Sequence, residues 1–180
     1  MKKEFIKLSA ILCIITLVAA LLLAGVNKIT TPRIVQAEKA AAEQAMKKIL
    51  PDADSFEQLN ENVFLALQGD KHIGFCVKVL TNGYGGNISM MVGIDLNAAV
   101  QGIEILSHGE TAGLGAKITE EEFKNQFRDK NPVLEVVKNE TDNPNQITAI
   151  TGATISSRAI AAGIEQSLVL IEEAVKGVQK

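Results

Sequence analysis

Four hydroxyl residues crowd one short segment near the C-terminus, Thr151-Gly152-Ala153-Thr154-Ile155-Ser156-Ser157. Gly152 and Ala153 add little bulk around them, and an apolar periodic run begins at Ile155. If that run is a helix, its first amides have no intrahelical acceptor. Its dipole also places positive partial charge there, which suits a phosphate. Arg158 adds a planar cation within one turn. These residue types point to a phosphate-bearing ligand. The same types make an ordinary N-cap, the commoner use of such a segment. The residues by themselves leave both readings open.

The other chemistry-bearing residues form no second constellation. Cys13 and Cys76 lack metal-ligand spacing and read as unpaired apolar fillers, with no disulfide or iron–sulfur site. His72 and His108 stand alone, and no metal is assigned. Glu172-Glu173 reads as the solvated face of a helix. A net charge of -3, with 4% aromatic residues and no tryptophan, argues against nucleic-acid binding.

The elements that must position the hydroxyl segment begin with an anchor. Leu8 to Val26 carries no charge and is long enough for a ~30 Å hydrocarbon core. Lys2, Lys3 and Lys7 precede it, which favours a cytoplasmic N-terminus and an extracytoplasmic remainder on a bacterial cell membrane. A cleaved signal would have a shorter apolar core, of about 7–15 residues. Val26 also stands where a lipoprotein signal needs its cysteine, so one uncleaved span is expected. Pro32 suits the first turn of a new helix. Ile34, Ala37, Ala41, Ala45 and Ile49 recur at helical spacing as far as Pro51. The expected divisions are 1–30 for the tip and anchor, 31–51 for a stem helix and 52–180 for one extracytoplasmic domain.

Within that domain Val63 to Leu67, His72 to Leu80, Ile88 to Ile94 and Val100 to Leu106 read as strands. Short turns between them, Asn82-Gly83 among them, imply antiparallel pairing. Thr119-Glu120-Glu121-Glu122 has a capping-box pattern, predicting a helix through Phe127. Val133 to Val137 predicts another strand. Ile160, Ile164, Leu168, Ile171 and Val175 share a face of a helix over 155–175. The fold class is α+β: one N-terminal transmembrane helix, then a small domain with an antiparallel sheet and a C-terminal helix.

Three segments resemble the FMN-binding domain family. Thr151-Gly152-Ala153-Thr154 is similar to its S/T-G-A-T flavinylation motif. His108-Gly109-Glu110-Thr111-Ala112-Gly113-Leu114-Gly115 is similar to its H-x-E-T-P-G-L-G stretch. Gly83-Tyr84-Gly85-Gly86 is similar to the loop before the strand that ends in Val92-Gly93-Ile94-Asp95. Ala112 stands where the family usually has proline, and Thr148 where the motif commonly has aspartate. The family includes the G subunit of the Rnf (Rsx) electron-transport complex and the C subunit of the sodium-pumping NADH:quinone reductase. The overall pattern is closer to the Rnf G subunit.

The resemblance implies FMN joined through a phosphoester to Thr154, with Thr151, Gly152 and Ala153 completing the motif. A separate flavin transferase would attach it, with FAD as donor. Glu110, Thr111, Gly113, Leu114, Gly115, Tyr84 and Gly85 are the expected cofactor-binding residues. The glycines would let a flat ring approach the backbone, and Glu110 and Thr111 would reach its edge. The implied function is an electron-carrier subunit of an ion-translocating oxidoreductase, a translocase moving electrons between ferredoxin and NAD. Its partners would be other membrane, iron–sulfur and flavin subunits. The alternatives are the sodium-pump C subunit and a cofactor-free, membrane-anchored assembly protein.

Overall fold

The computed structural model describes residues 2–139 and 141–178; the ends of the expected divisions at residues 1, 179 and 180 lie outside them. Two compact units divide the chain, Met1–Ala40 and Ala41–Lys180.

The break expected at Thr31-Pro32 is absent. Lys2–Ile49 is a single α-helix, α1, with Pro32 inside it. Pro32 removes one N–H and crowds the carbonyl four residues before it. The carbonyl that loses its helical donor is that of Lys28, while the hydroxyls of Thr30 and Thr31 donate one turn back to the carbonyls of Val26 (3.0 Å) and Asn27 (2.7 Å). Leu12, Leu21, Leu23 and the other apolar side chains of the first unit are exposed, and the helix is long and apolar enough to cross a membrane.

The second unit begins at Ala41, so it includes the last turns of α1. Five antiparallel strands form a meander in the order β1-β2-β3-β4-β5: Ser55–Gln58, Val63–Gln68, Lys71–Asn82, Asn87–Asp95 and Val100–His108. Four of them match the expected runs; β1, short and mostly exposed, carries no apolar alternation that would mark it. The C-terminal helix α3, Thr154–Val178, lays Ile160 and Ile164 on one sheet face against Val77, Val79, Met90 and Val92. The last turns of α1 cover the other face, with Ala45, Met46 and Ile49 over Ala66, Cys76 and Met91. Strand β4, flanked by β3 and β5, is therefore buried on both faces from Ile88 to Ile94. Ile49 lies so close over β4 that a Cβ on Gly93 would fall on its Cγ2.

The capping box at Thr119 is not formed. Gly115–Thr119 is a 3₁₀ turn, and the Thr119 hydroxyl donates within it to the Ala116 carbonyl at 2.9 Å. Glu120 is the N-cap of the short helix α2, Glu121–Asn125, and makes no side-chain cap bond. A chain turning at 3₁₀ pitch has already used the hydroxyl that a cap would need. β6, Glu135–Val137, pairs in parallel with an unforeseen β7, Gln146–Thr148. Beside α2, the buried Lys124 ammonium bonds Glu104 (2.9 Å) and Glu121 (3.0 Å), and Lys48 near the end of α1 bonds the same two carboxylates.

Candidate functional site

The start of α3 is built by its own hydroxyls. Gly152 adopts φ +80°, the left-handed turn that leads into the helix. The Ala153 amide donates to the Ile150 carbonyl at 2.9 Å. The Ser157 hydroxyl accepts from the Ile150 amide (3.0 Å) and donates to the Ala153 carbonyl (3.0 Å), closing the turn. The Ser156 hydroxyl donates to Glu110 Oε2 at 2.7 Å. Ser156 and Ser157 are thus buried and committed, while Thr151 is exposed and Thr154 half-buried. Of the four hydroxyls read from the sequence, the fold leaves two toward the surface.

Thr154 lies where two hollows meet. A cleft of about 440 Å³ is lined by Tyr84, Glu110, Thr111, Leu114 and Gly115 together with residues 152–156. A second hollow of about 310 Å³ is lined by Lys138, Ala149, Ile150, Thr151, Gly152 and Thr154. Tyr84, Leu114 and Ile155 keep much of their apolar surface exposed around the first cleft. Arg158 is exposed and borders neither hollow.

Two expected residues lie outside the cleft lining. Gly113, at φ +77° with open space around it, serves a turn. Gly85 is packed against its own chain, because a Cβ there would fall on the Gly109 carbonyl oxygen. Gly115 lines the cleft, yet its missing side chain makes room for Glu110: a Cβ would fall on Glu110 Oε2 and lie 3.0 Å from Ser156 Oγ. At Gly85 and Gly115 the space that a side chain would take is thus occupied by protein atoms. Glu110 is likewise engaged internally, accepting from the Tyr84 amide (2.8 Å), the Gly85 amide (3.1 Å) and Ser156. His108 is drawn into the same loop, its Nδ1 accepting from the Glu110 amide at 3.2 Å. His72 is exposed on β3, away from this cluster.

The cleft volume falls in the ~300–1,000 Å³ range of cofactor pockets, and its wall is apolar with few convergent polar groups. A hydroxyl stands at its edge on a helix start, where a phosphate is electrostatically favoured. These features fit a flat, phosphate-bearing cofactor.

The comparisons agree with that geometry. The FMN-binding domain family matches residues 83–169, which contain the whole cleft, and the RnfG N-terminal region matches residues 1–49. The G subunit of the proton-translocating ferredoxin:NAD(+) oxidoreductase complex of Clostridium ljungdahlii is 34% identical over 160 residues, covering 87% of this chain and 86% of that one. The G subunit of the Na(+)-translocating complex of Acetobacterium woodii is 32% identical, covering 92% and 91%. Among solved structures, NqrC of Shewanella oneidensis is similar in fold, with TM-score 0.51 at 20% identity. The C subunit of the Na(+)-translocating NADH-quinone reductase of Parabacteroides distasonis gives TM-score 0.51 at 25% identity. This chain spans 52% and 58% of the lengths of those two.

Fold, cleft and matched segments define an FMN-binding domain behind a membrane-anchoring helix. The chain belongs to the family of G subunits of ion-translocating ferredoxin:NAD(+) oxidoreductase complexes.

Proposed function

We propose that this chain is the electron-carrier subunit of an Rnf-type ion-translocating oxidoreductase, with FMN joined through a phosphoester to Thr154. The observation that carries the attachment site is the fate of the four hydroxyls at the start of α3. Ser156 and Ser157 are buried and hydrogen-bonded, Thr151 borders only the second hollow, and Thr154 borders both. The second reading, a sodium-pump C subunit, shares the fold but matches over a smaller part of both chains.

Attachment forms a bond between Thr154 Oγ1 and the flavin phosphorus. With FAD as donor, the pyrophosphate linkage breaks, AMP leaves and the hydroxyl proton is released. Bound FMN supplies the electron-transfer chemistry. The protein's part is to hold and shield. The first amides of α3 and the helix dipole offset the phosphodiester charge, by about 0.3–1 kcal/mol for an exposed site. Tyr84, Leu114 and Ile155 offer the ring apolar contact, and Thr111 a polar one. A phosphate tether leaves the ring free while preventing its loss by dilution. That matters most on the extracytoplasmic side, the side that the N-terminal lysines favour for the domain. The partners are the other membrane, iron–sulfur and flavin subunits of the complex, and a flavin transferase during maturation.

The test is in-gel flavin fluorescence after SDS denaturation of the full chain, coexpressed with a flavin transferase. Wild type is expected to fluoresce and Thr154→Ala to be dark yet folded, because losing a helix-start hydroxyl costs only about 1 kcal/mol. A dark wild type overturns the reading, and so does mass spectrometry that finds the flavin on Ser156 or Ser157.

A further inference from the structure

Glu110 joins segments far apart in sequence. Its Oε1 accepts from the Tyr84 and Gly85 amides at 2.8 and 3.1 Å, and its Oε2 accepts from Ser156 at 2.7 Å. The carboxyl group is buried, with the residue 9% exposed, so each of those bonds replaces lost water. Two glycines make room for it. A Cβ on Gly83 would fall on Oε1, and one on Gly115 would fall on Oε2 and lie 2.9 Å from Glu110 Cβ. The carboxylate therefore sits in a socket made by the chain itself.

Both joined segments line the cleft. Tyr84 belongs to one wall, and Ser156 lies two residues after Thr154 on α3. Helical geometry turns roughly 200° over two residues. Fixing Ser156 inward thus fixes the direction in which Thr154 points, and the same side chain fixes the wall that Thr154 faces.

We infer that Glu110 is a positioning residue: it sets Thr154 against the Tyr84 wall, acting through Ser156 and the 84–85 amides rather than by touching the cofactor. The inference rests on Thr154 being the attachment residue and deepens that reading. It gives Glu110 a role different from the ring-edge contact expected from the family stretch.

The test compares Glu110→Gln, Glu110→Ala and Ser156→Ala with wild type, as full-length chains purified without flavin and given FAD and a flavin transferase. Glutamine keeps an oxygen for the two amides and offers an N–H to Ser156. It is expected to flavinylate within about twofold of wild type, since the geometry of the three bonds can be retained. Alanine leaves two amides and a hydroxyl without an acceptor. Its kcat is expected to fall roughly tenfold or more, with KM for FAD unchanged, as one misplaced reacting group would give. Ser156→Ala removes one bond of the three and is expected to fall between the two. It also carries the test if Glu110→Ala does not fold.

Amide hydrogen exchange supplies a readout independent of flavin: Tyr84 and Gly85 should exchange faster in Glu110→Ala and as in wild type in Glu110→Gln. Wild-type attachment rates in both Glu110→Ala and Ser156→Ala overturn the inference. Glutamine failing as badly as alanine also overturns it, since the charge and not the bond geometry would then matter. A wild type that takes up no flavin overturns the attachment reading instead. In that case unchanged exchange at Tyr84 and Gly85 in Glu110→Ala overturns the clamp itself.

Discussion

Gly163→Ala sets two known effects against each other at the contact between α3 and the sheet. Alanine in a helix interior is favoured over glycine by about 1 kcal/mol. The space, however, is taken. A Cβ on Gly163 would lie 2.5 Å from Thr81 Cγ2 and 3.4 Å from Val79 Cγ1, and would fall on the terminal carbon of Met90. Met90 can bend, but it is fully buried in the same core. Thr81 cannot swing aside cheaply, because it is β-branched and stiff at χ1, so that Cγ2 moves only together with the buried hydroxyl. Overpacking of this kind costs about 1–3 kcal/mol. Two contacts below 3.0 Å put this site in the upper half of that range, about 2–3 kcal/mol, so packing outweighs propensity and a net loss of about 1–2 kcal/mol is expected. The melting temperature should fall by roughly 3–6 °C.

Gly177→Ala is the control on the same helix, where nothing lies within 4 Å of the added carbon. It should leave stability unchanged or raise it by a few tenths of a kcal/mol, since the last turn frays. Urea denaturation should show a lowered midpoint for Gly163→Ala and one at or slightly above wild type for Gly177→Ala, both at constant m. A Gly163→Ala protein as stable as wild type would refute the reasoning, because the tight approach of helix and sheet would then not exist.

Two further outcomes follow from ionisation. Hydrogen bonds from Lys48 and then Lys124 hold the Glu121 carboxyl down to about 2, against an ordinary 4.5. A depressed folded pKa means stability that is present above pH 4.5 and lost as pH falls toward 2. Thermal melts across that window should show a shallow decline that Glu121→Gln removes, shallow because the Glu121 side chain is 60% exposed. Burial pushes the Cys76 thiol up to about 12, so in a Cys13→Ser background the folded chain should resist maleimide at pH 8 and label at once in urea.

The strands were legible because β2 to β5 carry long apolar or β-branched runs punctuated by glycine and asparagine. β1 was not, because in Ser-Phe-Glu-Gln only Phe56 packs toward the core, and one apolar residue makes no alternation. Pro32 reads as a helix start because a proline ends helices in general, whereas here it costs one N–H inside a helix that continues on both sides of it. At the site, the Thr151–Thr154 segment stood out by residue type alone, and the family resemblance singled out Thr154. The ordering of the four hydroxyls by burial was beyond the sequence. It depends on Glu110, 46 residues before Ser156, and no local pattern announces a bond across that span. The glycines at 83, 85 and 115 were visible as glycines, but their reason lies in which atoms fill the missing side-chain space.

The end of α1 has a practical consequence for anyone preparing the domain without its anchor. Ala45, Met46 and Ile49 are core residues of the second unit, though they belong to the same unbroken helix as the apolar span, and Leu50 directly after it joins them. A recombinant fragment opened at residue 52 would bare the sheet face of Ala66, Cys76 and Met91 to water, a sticky surface prone to self-association. A fragment opened near Ala41 keeps that face covered, discards the exposed apolar run and should stay in solution without detergent.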